Sequence, residues 1–260
     1  MSDLDDFIEN LYRKDEYMIK NPSLHEEDSP WKVSKIIALV DRFMSYIDKS
    51  QITLLDVGGG AGLILSAVSS YIEKSYNVNV DRYALDLSPG MLKIQRQRNP
   101  GLKKALNEDI RRTSLSDKEV DLVLLIDLLE HVSNPVEALE EVRRISSYAI
   151  FKVPLVGYSG RVWNFIKRGK PRRQAIQNLG HINTYTYATL RNQIETYAGT
   201  VVNYYFTNVH EYYLNSPFQK NRLGRKSKLA HLSGACIFRF CPQLAALMFN
   251  DFCMFLVKCY

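Results

Sequence analysis

Acids are almost missing from the second half of this 260-residue chain. Residues 151–260 hold 15 Lys/Arg and only Glu195, Glu211 and Asp251 as acids. Residues 1–150 hold 19 Lys/Arg against 25 Asp/Glu, so the net charge of +6 hides one acidic half and one strongly basic half. A basic excess of this kind points to an anionic partner: a phosphorylated small molecule, a membrane surface or nucleic acid. A solvated basic surface is the plainer alternative. Cysteine is also scarce. The four present all lie between Cys236 and Cys259 without a C-x-x-C pair. That argues against a disulfide framework and a zinc site, and fits a reducing, cytoplasmic setting. Long apolar runs are lacking too, since the stretch from Leu244 to Val257 is broken by Asn250 and Asp251, which argues against a membrane span. Asp3, Asp5 and Asp6 make the start unlike a secretory leader. Neither internal repeats nor low-complexity segments are present.

What is there centres on Leu54-Leu55-Asp56-Val57-Gly58-Gly59-Gly60-Ala61-Gly62. An apolar run ends in an acid, four glycines follow, and a helical pattern starts at Leu63. This predicts strand, tight turn, helix. Glycines let backbone approach a ligand closely, and the helix start directs free N–H groups and positive potential at the same spot. A P-loop would need Lys-Ser or Lys-Thr where Leu63-Ile64 stands. The dinucleotide fingerprint fails as well, because its third glycine would fall on Leu63 or Leu65.

The spacing present, D-x-G-x-G-x-G on Asp56, Gly58, Gly60 and Gly62, resembles the first motif of class I S-adenosylmethionine (SAM) methyltransferases. Gly59 departs from many members of that family. Further stretches extend the resemblance over residues 31–210 and the final strand. Asp86-Leu87-Ser88-Pro89-Gly90-Met91 resembles the second motif, and Asp86 at a strand end can accept from both ribose hydroxyls of an adenosine. Ser88 and Pro89 suit a helix cap and first position. The resemblance implies that Asp109, after strand three, accepts from the adenine amino group while Ile110 packs on the ring, Glu108 being the weaker choice. It implies that Asp127 and Leu128 border the methionine part. Ser29-Pro30-Trp31-Lys32 lies where such families cover the cofactor, so Trp31 is either a cofactor contact or a packing anchor. The cofactor-binding set is Trp31, Asp56, Gly58, Gly59, Gly60, Gly62, Asp86, Leu87, Met91, Asp109, Ile110, Asp127 and Leu128, and the product is S-adenosylhomocysteine.

Candidates for chemistry are fewer. Glu130-His131 admits three readings: a polar pair fixing a turn, His131 as general base, or, by resemblance to ubiquinone-biosynthesis O-methyltransferases, a metal site of Asp127, Glu130 and His131. The working assignment holds no metal. His181, in Gly180-His181-Ile182, is the first choice for a base that takes a hydroxyl proton. Positioning alone can also drive an in-line displacement. The basic run Lys167 to Arg173, with Arg161, Trp163 and Phe165 before it, can hold phosphate or lie on a membrane, and Arg161, Arg172 and Arg173 are the acceptor-binding candidates. A second cluster, Lys220, Arg222, Arg225, Lys226 and Lys228, lies among tyrosines, a mixture that also suits single-stranded nucleic acid, which ranks lower.

The expected fold is α/β: a Rossmann-like, seven-stranded, mostly parallel sheet with helices on both faces and the last strand antiparallel. Strands are expected at 52–57, 79–86, 102–107, 120–126, 147–153, 200–208 and 251–260. Helices are expected at 3–20, 31–48, 62–74, 89–98, 134–146 and 184–198. Residues 1–50 form an N-terminal helical cap, 51–208 the cofactor-binding core, 209–250 an insertion over the substrate, and 251–260 the final core strand. The activity expected is methyl transfer from SAM to an oxygen of a small or lipid-linked, anionic or sugar-containing acceptor. An RNA methyltransferase and a non-catalytic SAM-binding protein are the alternatives.

Overall fold

The computed structural model describes residues 11–260 except Pro22, His25 and Arg222. The N-terminal part of the helix expected over 3–20 lies outside the described residues. Helix α1 (Glu16–Lys20) is followed by a 3-10 turn and α2 (Ser29–Met44). The chain then alternates: β1 (Gln51–Val57), α3 (Leu63–Tyr76), β2 (Asn79–Leu85), α4 (Pro89–Arg98), β3 (Leu102–Leu106), β4 (Val120–Ile126), α5 (Pro135–Ile145) and β5 (Ser146–Leu155). Two helices not expected from the sequence come next, α6 (Tyr158–Ile166) and α7 (Lys170–Leu179). Then come α8 (Tyr187–Tyr197) and β6 (Gly199–Phe206). The insertion is helical throughout its ordered elements: α9 (Val209–Asn215), α10 (Pro217–Lys220), α11 (Arg225–Phe240) and α12 (Pro242–Met248), before β7 (Asp251–Cys259) closes the chain.

The seven strands form one sheet in the order β3-β2-β1-β4-β5-β7-β6. β1 to β5 pair in parallel, and β7 lies antiparallel between β5 and β6. The last strand is therefore antiparallel, as expected, and is inserted beside strand five. Because strand side chains alternate faces, two separate cores result. Leu55, Val57, Val123 and Leu125 turn to one face, where Leu139 and Val142 of α5 and Leu190 and Ile194 of α8 cover them. Ile52, Leu54, Leu122 and Leu124 turn to the other, covered by Ile36, Val40 and Phe43 of α2 and Leu65 and Val68 of α3. Central strands buried on both faces explain why β1 and β4 read as continuous apolar runs.

One residue breaks that pattern. Lys152, in the middle of apolar β5, is fully buried. Its partner is Asp127 at the end of β4, one strand over. The topology also fixes where ligands gather. β1 runs out into the glycine turn beside β4, and between them the connections reverse direction, the place where open α/β sheets bind ligands at the carboxyl ends of their strands.

Candidate active site

Four strand ends and one N-terminal strap border an open-mouthed cleft, a concave place of the kind small ligands use. The glycine turn forms one wall. Gly58, Gly60 and Gly62 have φ of +63°, +54° and +74°, values that side-chain-bearing residues rarely adopt. A Cβ on Gly60 would meet nothing within 4 Å, so that backbone faces open space. The plain glycine Gly59 has another reason: a Cβ there would stand 2.1 Å from Asp56 Oδ2. Asp56 is wholly buried beneath the turn and its oxygens have no hydrogen-bond partner. Burial, with the nearby Asp86 charge second, pushes its pKa up to about 7.

Asp86 sits at the end of β2. Its Oδ1 accepts from Ser88 N at 2.9 Å, and Asn107 donates to the carbonyls of Asp86 and Leu87, holding this corner. Ser88 Oγ accepts from Met91 N at 2.9 Å and so caps α4, with Pro89 in its first turn, as the sequence implied. Burial pushes the Asp86 carboxyl up to about 7, against the backbone donors of Ser88 and Gly60. Asp109 and Ile110 lie across the cleft. Arg111 forks onto Asp109 Oδ2 at 3.0 and 2.7 Å and donates to Ser133 Oγ at 2.8 Å. This clamp orients the carboxylate, which has lone pairs to spare.

The far end of the cleft is set by Asp127, Leu128 and His131. Asp127 has a left-handed backbone, φ +55°. Its side chain bridges Lys152 and Lys32, the latter at 3.1 Å. Burial opposes its charge, but the two lysines outweigh it and hold its pKa down at about 2. Glu130, beside it, is buried with Oε2 unpartnered, and burial reinforced by the Asp127 charge pushes it up to about 8. The turn Leu129–His131 is 3-10 and Asp127 lies outside it. Asp127 is thus drawn to lysines, whereas Glu130, His131 and His181 present ligand atoms within 4.8 Å of one another.

His181 reaches this turn through its neighbour. Asn183 donates its backbone N–H to Glu130 O at 3.0 Å and its amide to the carbonyls of Leu129 and Val132 at 2.9 and 2.6 Å. The His181 and His131 rings then meet edge to face with centroids 4.8 Å apart. Gly180, φ +73°, makes the approach, since a Cβ there would stand 3.3 Å from His131 Nδ1.

Of the residues expected at the cofactor, Gly58, Gly60, Asp86, Leu87, Met91, Asp109, Ile110, Asp127 and Leu128 line the cleft. Asp56, Gly59 and Gly62 lie behind the turn and shape it. Trp31 does not line the cleft; it stacks on Tyr212 at 4.5 Å and meets Phe252 edge-on at 6.0 Å. Lys152 Nζ points at this aromatic group, 3.5 Å from the Phe252 ring centre and 5.6 Å from that of Trp31. Arg161, Arg172 and Arg173 stand on α6 and α7, outside the cleft and exposed. Sequence reasoning missed the strap residues Tyr12, Asp15 and Met18, which line the cleft, and Lys152, which holds Asp127. A lysine inside an apolar strand was the one available signal for Lys152.

Comparison with known proteins adds to this geometry. Residues 55–147 match the family model described as a methyltransferase domain. Among solved structures, a geranyl diphosphate C-methyltransferase from Streptomyces coelicolor, crystallised with S-adenosylhomocysteine, shares the fold at TM-score 0.57 and 10% identity, over 86% of this chain and 76% of the other. A Haemonchus contortus phosphoethanolamine N-methyltransferase superposes with TM-score 0.59 at 13% identity, over 86% of this chain and 52% of that one. The [4+2]-cyclase SpnF matches at 0.51 and 14%, over 85% and 80%. At such identities these likenesses establish the fold. No curated protein sequence matches the chain.

Proposed function

We propose that the cleft binds SAM and that the enzyme methylates an oxygen of a small or lipid-linked, anionic acceptor. The observation that carries the reading is the convergence on one cleft of the Gly58–Gly60 backbone, the Asp86 carboxylate and the Asp109–Ile110 pair, the three features a ribosyl adenine with an amino-acid tail requires. Lined on one side by apolar Leu87, Met91 and Ile110 and on the other by carboxylates, the site suits the chemistry of that molecule. When bound, SAM supplies a methyl group already activated on a sulfonium. Asp86 accepts from the ribose hydroxyls. Asp109, held by Arg111, accepts from the adenine amino group while Ile110 packs on the ring. Leu128 and the backbone at Asp127 border the methionine end. His131 lines that end of the cleft, and His181, edge-on behind it and steadied by Asn183, is the base assigned to the acceptor's proton in this reading. No step is assigned to a metal ion.

An anionic acceptor is supported by the twelve-charge excess of residues 151–260 and by the acceptors of two fold neighbours, which carry phosphate. Calorimetry with SAM and S-adenosylhomocysteine tests the donor. Each charge-assisted bond is worth roughly 1.5–3 kcal/mol, so Asp86→Ala, which removes two, is expected to weaken SAM by about 100-fold or more. Absence of binding by the unaltered chain overturns the reading. For the acceptor, changing Arg172 and Arg173 to Gln is expected to raise acceptor KM and leave SAM affinity unchanged; unchanged KM would remove these arginines from acceptor binding.

A second reading, a SAM-binding protein without methyl transfer, is favoured by the presence of a [4+2]-cyclase on the same fold. Transfer of labelled methyl from SAM into an acceptor pool excludes it.

A further inference from the structure

The late helices turn apolar side chains outward instead of inward. On α6, Gly157 and Gly160 lie against Phe249 and Asn250, so the packed side is fixed. The opposite side carries Tyr158, Val162, Phe165 and Ile166 at helical spacing, exposed by 64, 37, 85 and 61%. None of the residues of α6 is buried. On α11, Leu229, Leu232 and Phe240 stand 66, 49 and 86% exposed. On α12, Ala245 and Ala246 face the sheet while Leu244, Leu247 and Met248 face out. α12 packs against both α6 and α11. These ten large apolar side chains are therefore exposed on three neighbouring helices, and exposed apolar groups that gather in one region mark interaction sites.

Charge selects the occupant. Residues 158–179 and 212–250 contain twelve Lys/Arg and not one Asp or Glu. A second copy of the chain would bring like charge against like charge across the contact. Single-stranded nucleic acid calls for aromatic stacking platforms, but Val162, Ile166, Leu229, Leu232, Leu244 and Leu247 have no ring. Aliphatic stripes fringed by long cations are the chemistry of helices lying in an anionic lipid interface. No described helix is long and apolar enough to cross a bilayer.

We infer that α6, α11 and α12 form a membrane-docking face for anionic phospholipid. The topology orients it. α6 follows the carboxyl end of β5, β7 starts there through the pairing of Leu155 with Asp251, and β6 runs parallel to β5 and leads into the insertion. The docking face and the cofactor cleft therefore share one end of the sheet. This inference stands independently of the acceptor's identity.

The test is flotation of the full chain with vesicles of phosphatidylcholine alone, or with 30% phosphatidylglycerol as a probe of about that composition. Expected is binding to the anionic vesicles, falling with added salt, and at least tenfold weaker binding by the double variant Phe165→Glu, Phe240→Glu. Both side chains are more than four-fifths exposed, so the variant folds, as unchanged SAM calorimetry will register. Equal binding of variant and parent, or no vesicle binding by the parent, overturns the inference. So does a concentration-dependent dimer abolished by the same two changes, or salt-steep binding of a single-stranded RNA oligonucleotide in place of vesicles.

Discussion

At the scale of single residues, titration is the clearest consequence of burial. Asp86 has its pKa raised to about 7 by desolvation, well above the roughly 3.9 of an unfolded aspartate. Between those values the folded chain holds a proton that the unfolded chain has released, so this group's contribution to stability falls as pH rises from about 4 to 7. Ligand binding runs the other way. Accepting from two hydroxyls needs the carboxylate, so SAM affinity is expected to rise through pH 7 and level off above it. Calorimetry between pH 5.5 and 8.5 checks this, with affinity flat across the range as the contrary result. Gly59 makes a second residue-level case. The contact of an added Cβ with Asp56 is an overpacking of a kind that costs about 1–3 kcal/mol, so Gly59→Ala should lower the urea midpoint. The sequence marked Gly59 as a harmless departure, because the motif records spacing and not the carboxylate beneath the turn. Asp127 carries a third. Its pKa is held near 2, so its contribution is present above about pH 4 and is lost as pH falls towards 2. Lys152→Met leaves it paired with Lys32. Losing Lys32 as well strands a half-buried charge, which costs less than the about 3–5 kcal/mol of a fully buried one, and thermal melts of the single and double variants should show the loss concentrated in the double.

At the scale of elements, the loop from Gly180 to Tyr185 matters more for where it is pinned than for what it contains. Asn183 ties it to the turn after β4 by three hydrogen bonds. On the proposal that His181 takes the acceptor's proton, Asn183→Ala is expected to lower kcat at least tenfold with little change in SAM affinity. Equal loss of affinity would show that the loop supports the cofactor instead. The strands and most helices were legible because each obeys a local period: β1 and β4 as apolar runs, α2 and α5 as amphipathic repeats. Even the antiparallel last strand followed from the resemblance. Helices α6 and α7 were not legible. The apolar side of α6 faces solvent, so its residues read as a basic loop with stray aromatics. The pairing of Lys152 with Asp127 could not be read from spacing either, because a turn and helix α5 separate them in sequence and only the sheet order makes them neighbours.

At the scale of the whole molecule, the acidic and basic halves of the chain divide the labour. The first half builds the sheet centre and the cleft; the second supplies the sheet edge and the exposed helices at the same end. Changing the salt concentration is expected to separate the two, weakening contacts of the second half steeply while SAM affinity, set among buried groups, moves little. The N-terminal strap belongs to neither division. Tyr12 hydrogen-bonds His131 at 2.9 Å, and Asp15 reaches Ser88 and the Gly90 backbone on the other side, so the segment from Tyr12 to Met18 lies along the cleft like a bolt. A ligand held in the cleft is expected to leave faster when that bolt is loosened. Stopped-flow release of S-adenosylhomocysteine should quicken when Asp15 is changed to Ala, by the factor with which the strap opens more often.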